Sequence, residues 1–265
     1  MAVGHTQSMP RFEVASVKLD RSCANGSGRG GSGPSPGRLD LKCLTLQNLI
    51  QVAYGTFANG NRPKQDRIQI VGGPSWIASE YYDVVGKTEG IAPLTEMAGP
   101  MLRALLEARF RLKLHRETKE SIVYALTVAK GGVKMKPAPE GSCIPFDVNH
   151  LARPSAGADP SPDVCGRQTT HRNGTHFVVD LRGMTMEEFA KGYLSSLPQM
   201  DLPVVDKTGL GGRFDFRVEF TGPGASESEA VSIPEAVRPL GLNLAQAKGG
   251  VEVLVVDRAE RPSGN

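Results

Sequence analysis

DLRGMTMEEFAKGYL, from Asp180 to Leu194, decides the predicted fold, because a related stretch, DLKCLTLQNLIQVAY from Asp40 to Tyr54, precedes it. Asp, Leu and Thr recur at the same positions, and apolar residues recur at the same steps. In each stretch a short alternating segment leads to a threonine, Thr45 or Thr185, which is a favourable N-cap for the amphipathic helix that follows. The chain therefore reads as a duplicated unit.

Two later segments extend the match. RFDFRVEFTG from Arg213 resembles YYDVVGKTEG from Tyr81, and LNLAQAKGGVEVLVV from Leu242 resembles LKLHRETKESIVYAL from Leu112. The sequence predicts an α+β protein of two tandem related β-α-β-β-α-β-β units, each a small mixed sheet covered by helices. In each unit we expect the last two strands to be separate, with a short polar turn joining those of the first unit.

The matched segments also set the predicted domain boundaries. These are a leader remnant or cloning remnant at 1–10, a first unit at 11–130 with a Gly-rich loop at 21–37, an insert or linker at 131–175, a second unit at 176–258, and a polar tail at 259–265. Asp83 and Asp215 are the matched acids of the two units. Their recurrence predicts a structural task, such as accepting backbone hydrogen bonds at a turn.

Composition excludes some classes of protein. The chain has 39% hydrophobic and 22% charged residues and a formal charge of +3, with basic and acidic residues interspersed. No basic stripe with interleaved aromatics indicates nucleic-acid binding. No apolar run reaches the roughly 18 residues of a membrane span. We expect a globular protein whose partner is a small-molecule or peptide ligand or an envelope protein.

The four cysteines carry information about cellular location. Their spacing is not that of a zinc site. Three of them lie in or beside Gly/Pro/Ser-rich loops, and disulfides commonly hold loops that have too few apolar residues to pack. The favoured bridge is Cys143 to Cys165, with Cys23 to Cys43 second, although four cysteines permit three pairings. Bridged cysteines predict a periplasmic or extracellular protein after leader removal, whereas reduced thiols would fit the cytoplasm.

Candidate catalytic and metal-binding residues cluster in two places. His115 and Glu117 share a face of one predicted strand, where a histidine base could be oriented by a carboxylate; a solvated edge strand is the competing interpretation. His150, His171 and His176 lie in or beside the insert with Asp163. Histidine and carboxylate suit zinc, and loop oxygens suit calcium, so a divalent metal is a candidate cofactor, although no ordered metal motif supports one.

Candidate ligand-binding residues lie elsewhere. Trp76 is at a Gly-Pro turn and could form an aromatic pocket wall with Tyr54, although core packing explains it as well. Asp206 and Arg213 flank a glycine-rich turn whose backbone could approach a ligand closely. A tight turn explains these glycines equally well.

Several segments resemble a known family. They are FEVASVK from Phe12, IVGGPSWI from Ile70, FRLKLHRETKE from Phe110, YALTVAKGG from Tyr124, VVDKTGLGGRFDF from Val204 and VEVLVVDRAERPS from Val251. Together they are similar to a domain of unknown function expanded in Acidobacteria, especially Solibacter-like soil bacteria. The resemblance implies an exported protein, joined in some relatives to a BlaR-like membrane sensor-peptidase. It implies no catalytic residues, because the family has no agreed activity.

A weaker resemblance concerns each unit. MTMEEFAKGYLSSLPQMDLPVVD from Met184, followed by LGLNLAQAKGGVEVLVV from Leu240, is similar to the short domain at the N-termini of secretins and TonB-dependent receptors, which implies docking or signalling. We favour an exported, mainly non-catalytic protein that binds a small molecule, peptide or envelope partner. The alternatives are a secreted hydrolase of small esters or lactones, perhaps metal-assisted, and a strand-pairing assembly or sensor module.

Overall fold

The computed structural model describes residues 10–25, 35–57, 68–145, 164–224, 226 and 230–263. Residues 1–9, most of the Gly-rich loop and the central part of the insert lie outside this description, and His150 and Asp163 lie there too. The described chain divides into two compact units. Unit 1 holds described residues up to Thr118 and from Glu252 onward, and unit 2 holds those between them.

The fold is mixed α+β, as predicted, with three sheets. The described residues form the strands β1 (Val14–Leu19), β2 (Arg38–Thr45), β3 (Gln69–Gly72), β4 (Tyr81–Lys87), β5 (Lys113–Val128), β6 (Lys136–Pro137), β7 (Arg167–Asn173), β8 (His176–Met184), β9 (Val204–Asp206), β10 (Phe214–Thr221) and β11 (Leu242–Arg258).

The helices are short. They are α1 (Leu46–Ile50), α2 (Leu94–Glu96), α3 (Leu102–Arg109) and α4 (Ile233–Ala236). Single π-helical segments continue two of them, Gln51–Thr56 after α1 and Met97–Met101 between α2 and α3, and a third forms Glu188–Tyr193 in unit 2. Pro100 lies inside the second of these, where its missing N–H removes a helical hydrogen bond.

Unit 1 contains an antiparallel sheet of order β1-β4-β2. The strands alternate as half-buried strands should: in β4, Tyr82 and Val84 are buried while their neighbours are partly exposed. The apolar face of α1, built from Leu46, Leu49 and Ile50, packs into the same core.

Unit 2 contains a four-stranded antiparallel sheet of order β6-β10-β8-β7. Val179 and Leu181 of β8 and Val218 of β10 point into a core that also holds Phe189 and Leu194. Asn173 and His176 close a two-residue hairpin loop between β7 and β8, and Gly174 takes the positive φ of 59° that such loops require.

The strands of the third sheet correct a prediction. We expected two short strands on either side of residues 118–121 and two more at the C-terminus. The structure instead has one continuous strand in each place, β5 and β11, within a sheet of order β3-β11-β5-β9. The polar turn expected near Thr118 is absent because an exposed strand needs no apolar alternation to keep its backbone paired.

The described parts of the predicted insert contain secondary structure. They contain β6 and β7, and an isolated bridge joins Ile144 to Val164 beside the Cys143–Cys165 disulfide. Both favoured disulfides form, Cys23 to Cys43 in unit 1 and Cys143 to Cys165 in unit 2. No described helix has the length and apolar character that crossing a membrane requires.

Candidate functional site

His115 lies on β5 and contacts a carboxylate from another strand. Its Nδ1 is 3.0 Å from Oδ2 of Asp257 on β11, and the two side chains are 54% and 47% exposed. An ionised carboxylate can only accept a hydrogen bond, so Nδ1 is the donor in this contact. A carboxylate that contacts His115 thus comes from Asp257 on another strand, and the orienting role of Glu117, two residues along β5, stays a prediction.

Arg116, beside His115, turns to different partners. Its guanidinium contacts the Glu252 carboxylate and donates a hydrogen bond of 2.6 Å to the backbone carbonyl of Tyr54. Arg103 donates a 2.9 Å bond to the preceding carbonyl, that of Ala53. Two arginines thus converge on the π-helical segment, where the wider turn changes the intrahelical partners of backbone carbonyls.

Tyr54 is held inside unit 1. Its hydroxyl donates to Glu107 at 2.8 Å, and the Arg103 guanidinium lies 5.1 Å from the ring centroid. Burial, reinforced by the hydrogen bond to Glu107, raises the pKa of Tyr54 above its ordinary value. The hydroxyl of Tyr54, a candidate pocket-wall residue, is therefore hydrogen-bonded within unit 1.

Trp76 is part of the core of unit 1. Its ring stacks on Phe110 at 6.3 Å and meets Tyr82 edge-on at 6.4 Å. The Arg261 guanidinium lies 5.2 Å from its ring centroid and pairs with Glu80, which also accepts the Tyr82 hydroxyl. This packing is what the structural interpretation of Trp76 predicts, and a role in a pocket wall stays a prediction.

Asp206 and Arg213 of unit 2 also have internal partners. Asp206 accepts the Thr208 amide at 2.9 Å and its hydroxyl at 2.8 Å, which closes the local turn. Arg213 donates to the Gly183 carbonyl at 2.5 Å and to Glu188 at 3.0 Å. These bonds hold the start of the helical segment that Thr185 caps, where Glu188 completes a reciprocal capping box.

The predicted histidine metal ligands are not brought together among the described residues. His171 lies exposed on β7, and Nε2 of His176 is 3.8 Å from Oε2 of Glu219. In the described part of the chain, one group of metal-ligand type has its ligand atoms within 4.8 Å of one another: Asp20, Cys23, Cys43 and Asp83.

β7 is exposed along its whole length. All seven residues, RQTTHRN, are exposed, and the strand ends its sheet with only β8 recorded beside it. It carries three basic side chains and no acidic one, and Arg182 of β8 lies opposite Arg167. An edge of this kind can pair with another polypeptide through its backbone.

Comparison with known proteins gives a family. A profile described as "Protein of unknown function (DUF3738)" matches residues 47–259, most of the chain. The protein belongs to the DUF3738 family. No curated protein sequence and no solved structure matches it.

Three features of this DUF3738 protein escaped the sequence analysis. Asp257 was missed because it is 142 residues from His115 in sequence. β7 was missed because it has no apolar residue to set a period. Asp20 was missed because the pairing of β1 and β2 with β4 and the Cys23–Cys43 bridge, both non-local in sequence, bring it beside Cys43 and Asp83; an acid three residues before a cysteine was the available signal.

Proposed function

We propose that this DUF3738 protein is an exported, non-catalytic binding protein that takes an extended, acidic segment of an envelope protein along β7. The observation that carries the proposal is the exposure of all seven β7 residues on a strand that ends its sheet. Natural proteins usually shorten, bulge or cover an edge strand of this length, because its unpaired backbone N–H and C=O groups can pair with another chain.

The charge of this region defines the partner. β7 and its neighbour on β8 carry four basic side chains, Arg167, His171, Arg172 and Arg182, of which Arg172 also donates to the Gly174 carbonyl at 2.7 Å. The nearby Asp180 is already paired with Arg217 at 2.8 Å. An acidic partner strand would gain backbone hydrogen bonds from the edge and favourable cross-strand charge pairs from the side chains.

Other properties support export and a tandem organisation. Two disulfides are consistent with a protein that folds outside the reducing cytoplasm, so we propose a periplasmic or extracellular location. We also propose that the two units arose by duplication in an acidobacterial lineage. The matching capping boxes at Thr45 and Thr185 support this history.

Peptide binding tests the proposal. The probe is a fluorescent peptide of alternating Glu and Val, matched to the seven residues of β7, with a Lys-Val peptide as the charge control. We expect the fluorescence anisotropy to rise to a plateau with added protein for the acidic peptide only. His171→Glu with Arg182→Glu should weaken binding at least about tenfold, since each change introduces a negative charge opposite the acidic peptide.

A matched control keeps this test specific. Lys18→Glu with Lys87→Glu reverses two exposed charges in unit 1 and should leave binding unchanged. A peptide N-methylated at alternate residues keeps its charge but loses backbone donors, so its binding should fail if pairing is through the edge. Equal binding of both peptides, or full binding of the methylated one, would contradict the proposal.

A second candidate function rests on the His115–Asp257 contact of 3.0 Å. A histidine oriented by a carboxylate can act as a general base for water, so hydrolysis of small esters or lactones is the alternative, with or without a divalent metal. A panel of such substrates, assayed with wild type, His115→Ala and Asp257→Asn and with a chelator, tests it. Turnover lost in both variants would favour the hydrolase over the binding protein.

A further inference from the structure

A group of four ligand-type side chains surrounds the disulfide of unit 1. Asp20 follows β1, Cys23 lies in the 3₁₀ turn Ser22–Asn25, Cys43 is on β2 and Asp83 is on β4. One ligand atom from each lies within 4.8 Å of every other. Cys23 is buried and the other three are partly buried, so the group lies at the edge of the core rather than on an open acidic surface.

Bonds other than the disulfide hold the surrounding backbone. The Asp20 amide donates to the Tyr81 carbonyl at 2.8 Å, and the Cys43 amide donates to Oδ1 of Asp83 at 3.0 Å. Oδ1 of Asp20 accepts the Ser22 amide at 2.8 Å and its hydroxyl at 2.6 Å. These bonds use Oδ1 of each carboxylate, which leaves Oδ2 as the oxygen for a ligand. These hydrogen bonds do not depend on the S–S bond, so they can hold the four side chains near one another after it is cleaved.

We propose that the reduced Cys23–Cys43 pair, together with Asp20 and Asp83, binds a borderline divalent metal of the Zn²⁺ class. A dithiol reductant would cleave the S–S bond to two thiols and would itself become a disulfide. Binding of one Zn²⁺ then forms two Zn–S and two Zn–O bonds and releases the two thiol protons. In the oxidised protein the two cysteines form a structural disulfide. In the reduced protein they are ligands of the metal.

The donor set selects this class of metal. Two thiolates and two carboxylates match the ligands and the number that a closed tetrahedral zinc site uses. Magnesium and calcium prefer oxygen alone and more ligands, so they fit this set poorly. Without a metal, two thiolates beside two carboxylates would repel one another, and a divalent cation removes that repulsion.

Unit 2 provides a built-in comparison. Its Cys143–Cys165 disulfide lies beside Gly183, whose amide donates to Asp215 at 2.7 Å, so one carboxylate is nearby. No described acidic or histidine side chain completes a group of three there within 4.8 Å. The same reduction should therefore create a metal site in unit 1 but not in unit 2.

Metal titration of the reduced, full-length protein tests the proposal. After reduction with a phosphine and removal of metal, zinc is titrated against a chromophoric chelator. We expect one zinc per chain although four cysteines are reduced. Co²⁺ should give the thiolate charge-transfer and tetrahedral ligand-field absorption of a mixed sulfur and oxygen site.

Point variants identify the ligands. Asp20→Asn and Asp83→Asn should each weaken zinc binding at least about tenfold, because each removes one charged ligand. The side-chain amide introduced by Asp83→Asn can still accept the Cys43 backbone N–H through its oxygen, so that variant keeps the local backbone. Ser22→Ala and Asp215→Asn are the matched controls, since they remove a neighbouring hydrogen bond and the unit 2 carboxylate, and both should retain zinc.

A second readout does not depend on folding of the variants. Because zinc binds only the reduced pair, it should make Cys23–Cys43 easier to reduce and leave Cys143–Cys165 unchanged. Alkylation of wild type over a dithiol series, with mass spectrometry of each pair, measures this. No zinc uptake, uptake unaffected by either aspartate variant, or equal zinc effects on the two disulfides would overturn the proposal.

Discussion

The two units build the same backbone feature with different residues. In unit 1, β2 bulges between Leu41 and Leu44, and Cys43 takes a φ of 54°. In unit 2, the pairing of β8 shifts at the same point before its helical segment, and Gly183 takes a φ of 55°. Both bulge amides donate to a carboxylate on the neighbouring strand, Asp83 or Asp215.

The difference lies in how each bulge is joined to a disulfide. Unit 1 places a cysteine at the left-handed position itself, whereas unit 2 keeps glycine there and packs a disulfide from other segments against it. A Cβ on Gly183 would lie 2.5 Å from Cys143 Sγ. The bulge and its carboxylate are thus common to both units, while the position of the cysteine varies.

Among the variants that compare the two units, we expect removal of either disulfide to lower the free energy of unfolding most. The bridges span 20 and 22 residues, so chain entropy predicts nearly equal losses of about 3 kcal/mol for Cys23→Ala with Cys43→Ala and for Cys143→Ala with Cys165→Ala. Urea unfolding of both double variants measures the free energies. Clearly unequal losses would show that the surroundings, and not loop length, determine the contribution.

Gly183→Ala should destabilise unit 2 by about 2 kcal/mol, because it adds both left-handed strain and a close contact with the disulfide. Gly211→Ala is the control, since a Cβ there meets nothing within 4 Å. Equal stability of the two variants by urea unfolding would mean that the bulge of unit 2 does not need glycine.

Asp83 and Asp215, the carboxylates that accept the bulge amides, should contribute equally to the stability of their units. Asp83→Ala and Asp215→Ala each leave a partly buried amide without its acceptor, so we expect losses of about 1.5 kcal/mol in each. Asn at either position keeps an acceptor and should recover most of the loss. Chemical unfolding of the four variants is the measurement, and a neutral Asp→Ala change in one unit would break the correspondence.

Making unit 1 resemble unit 2 should stabilise it slightly. In a protein that already carries Cys23→Ala, Cys43→Gly should be about 1 kcal/mol more stable than Cys43→Ala, because glycine accepts the positive φ without strain. Thermal unfolding of the two proteins compares them. The opposite order would indicate that the cysteine position relaxes once the bridge is gone.

The smallest expected effect on stability is the contribution of two ion-paired carboxylates, which is lost at low pH. The hydrogen bond from Arg261 lowers the pKa of Glu80 in unit 1, and that from Arg217 lowers the pKa of Asp180 in unit 2. A depressed folded pKa gives stability above the unfolded pKa, near 4, that is lost as the pH falls through the folded value. Glu80→Gln and Asp180→Asn should each cost less than about 1 kcal/mol at neutral pH and nothing in acid.

A pH series of urea unfolding curves measures these contributions. The difference between wild type and each variant should shrink as the pH falls. A difference that stays constant with pH would show that the carboxylates act through packing rather than through charge.

The comparison also shows what sequence could predict. Thr45, Thr185 and the matched acids follow from local rules, and the structure confirms both caps and the backbone bonds that Asp83 and Asp215 accept. Local rules work here because capping and bulge chemistry involve residues close in sequence or in register.

The remaining features depend on non-local pairing. Residues 115–122 of β5 are exposed, so no apolar period distinguishes this strand from a polar turn. His115 and Asp257 meet only because β5 and β11 are neighbours in one sheet. Nothing local to either residue indicates that contact, and the same holds for Asp20 beside Asp83.

Trp76 has a further consequence for experiments. It is the only tryptophan of the chain, and it is buried in the aromatic core of unit 1 beneath Arg261. Its fluorescence emission therefore reports on unit 1 alone, whereas far-ultraviolet circular dichroism averages both units. Superimposable transitions by the two signals would mean that the units unfold together, and an offset would give the stability of unit 1 separately.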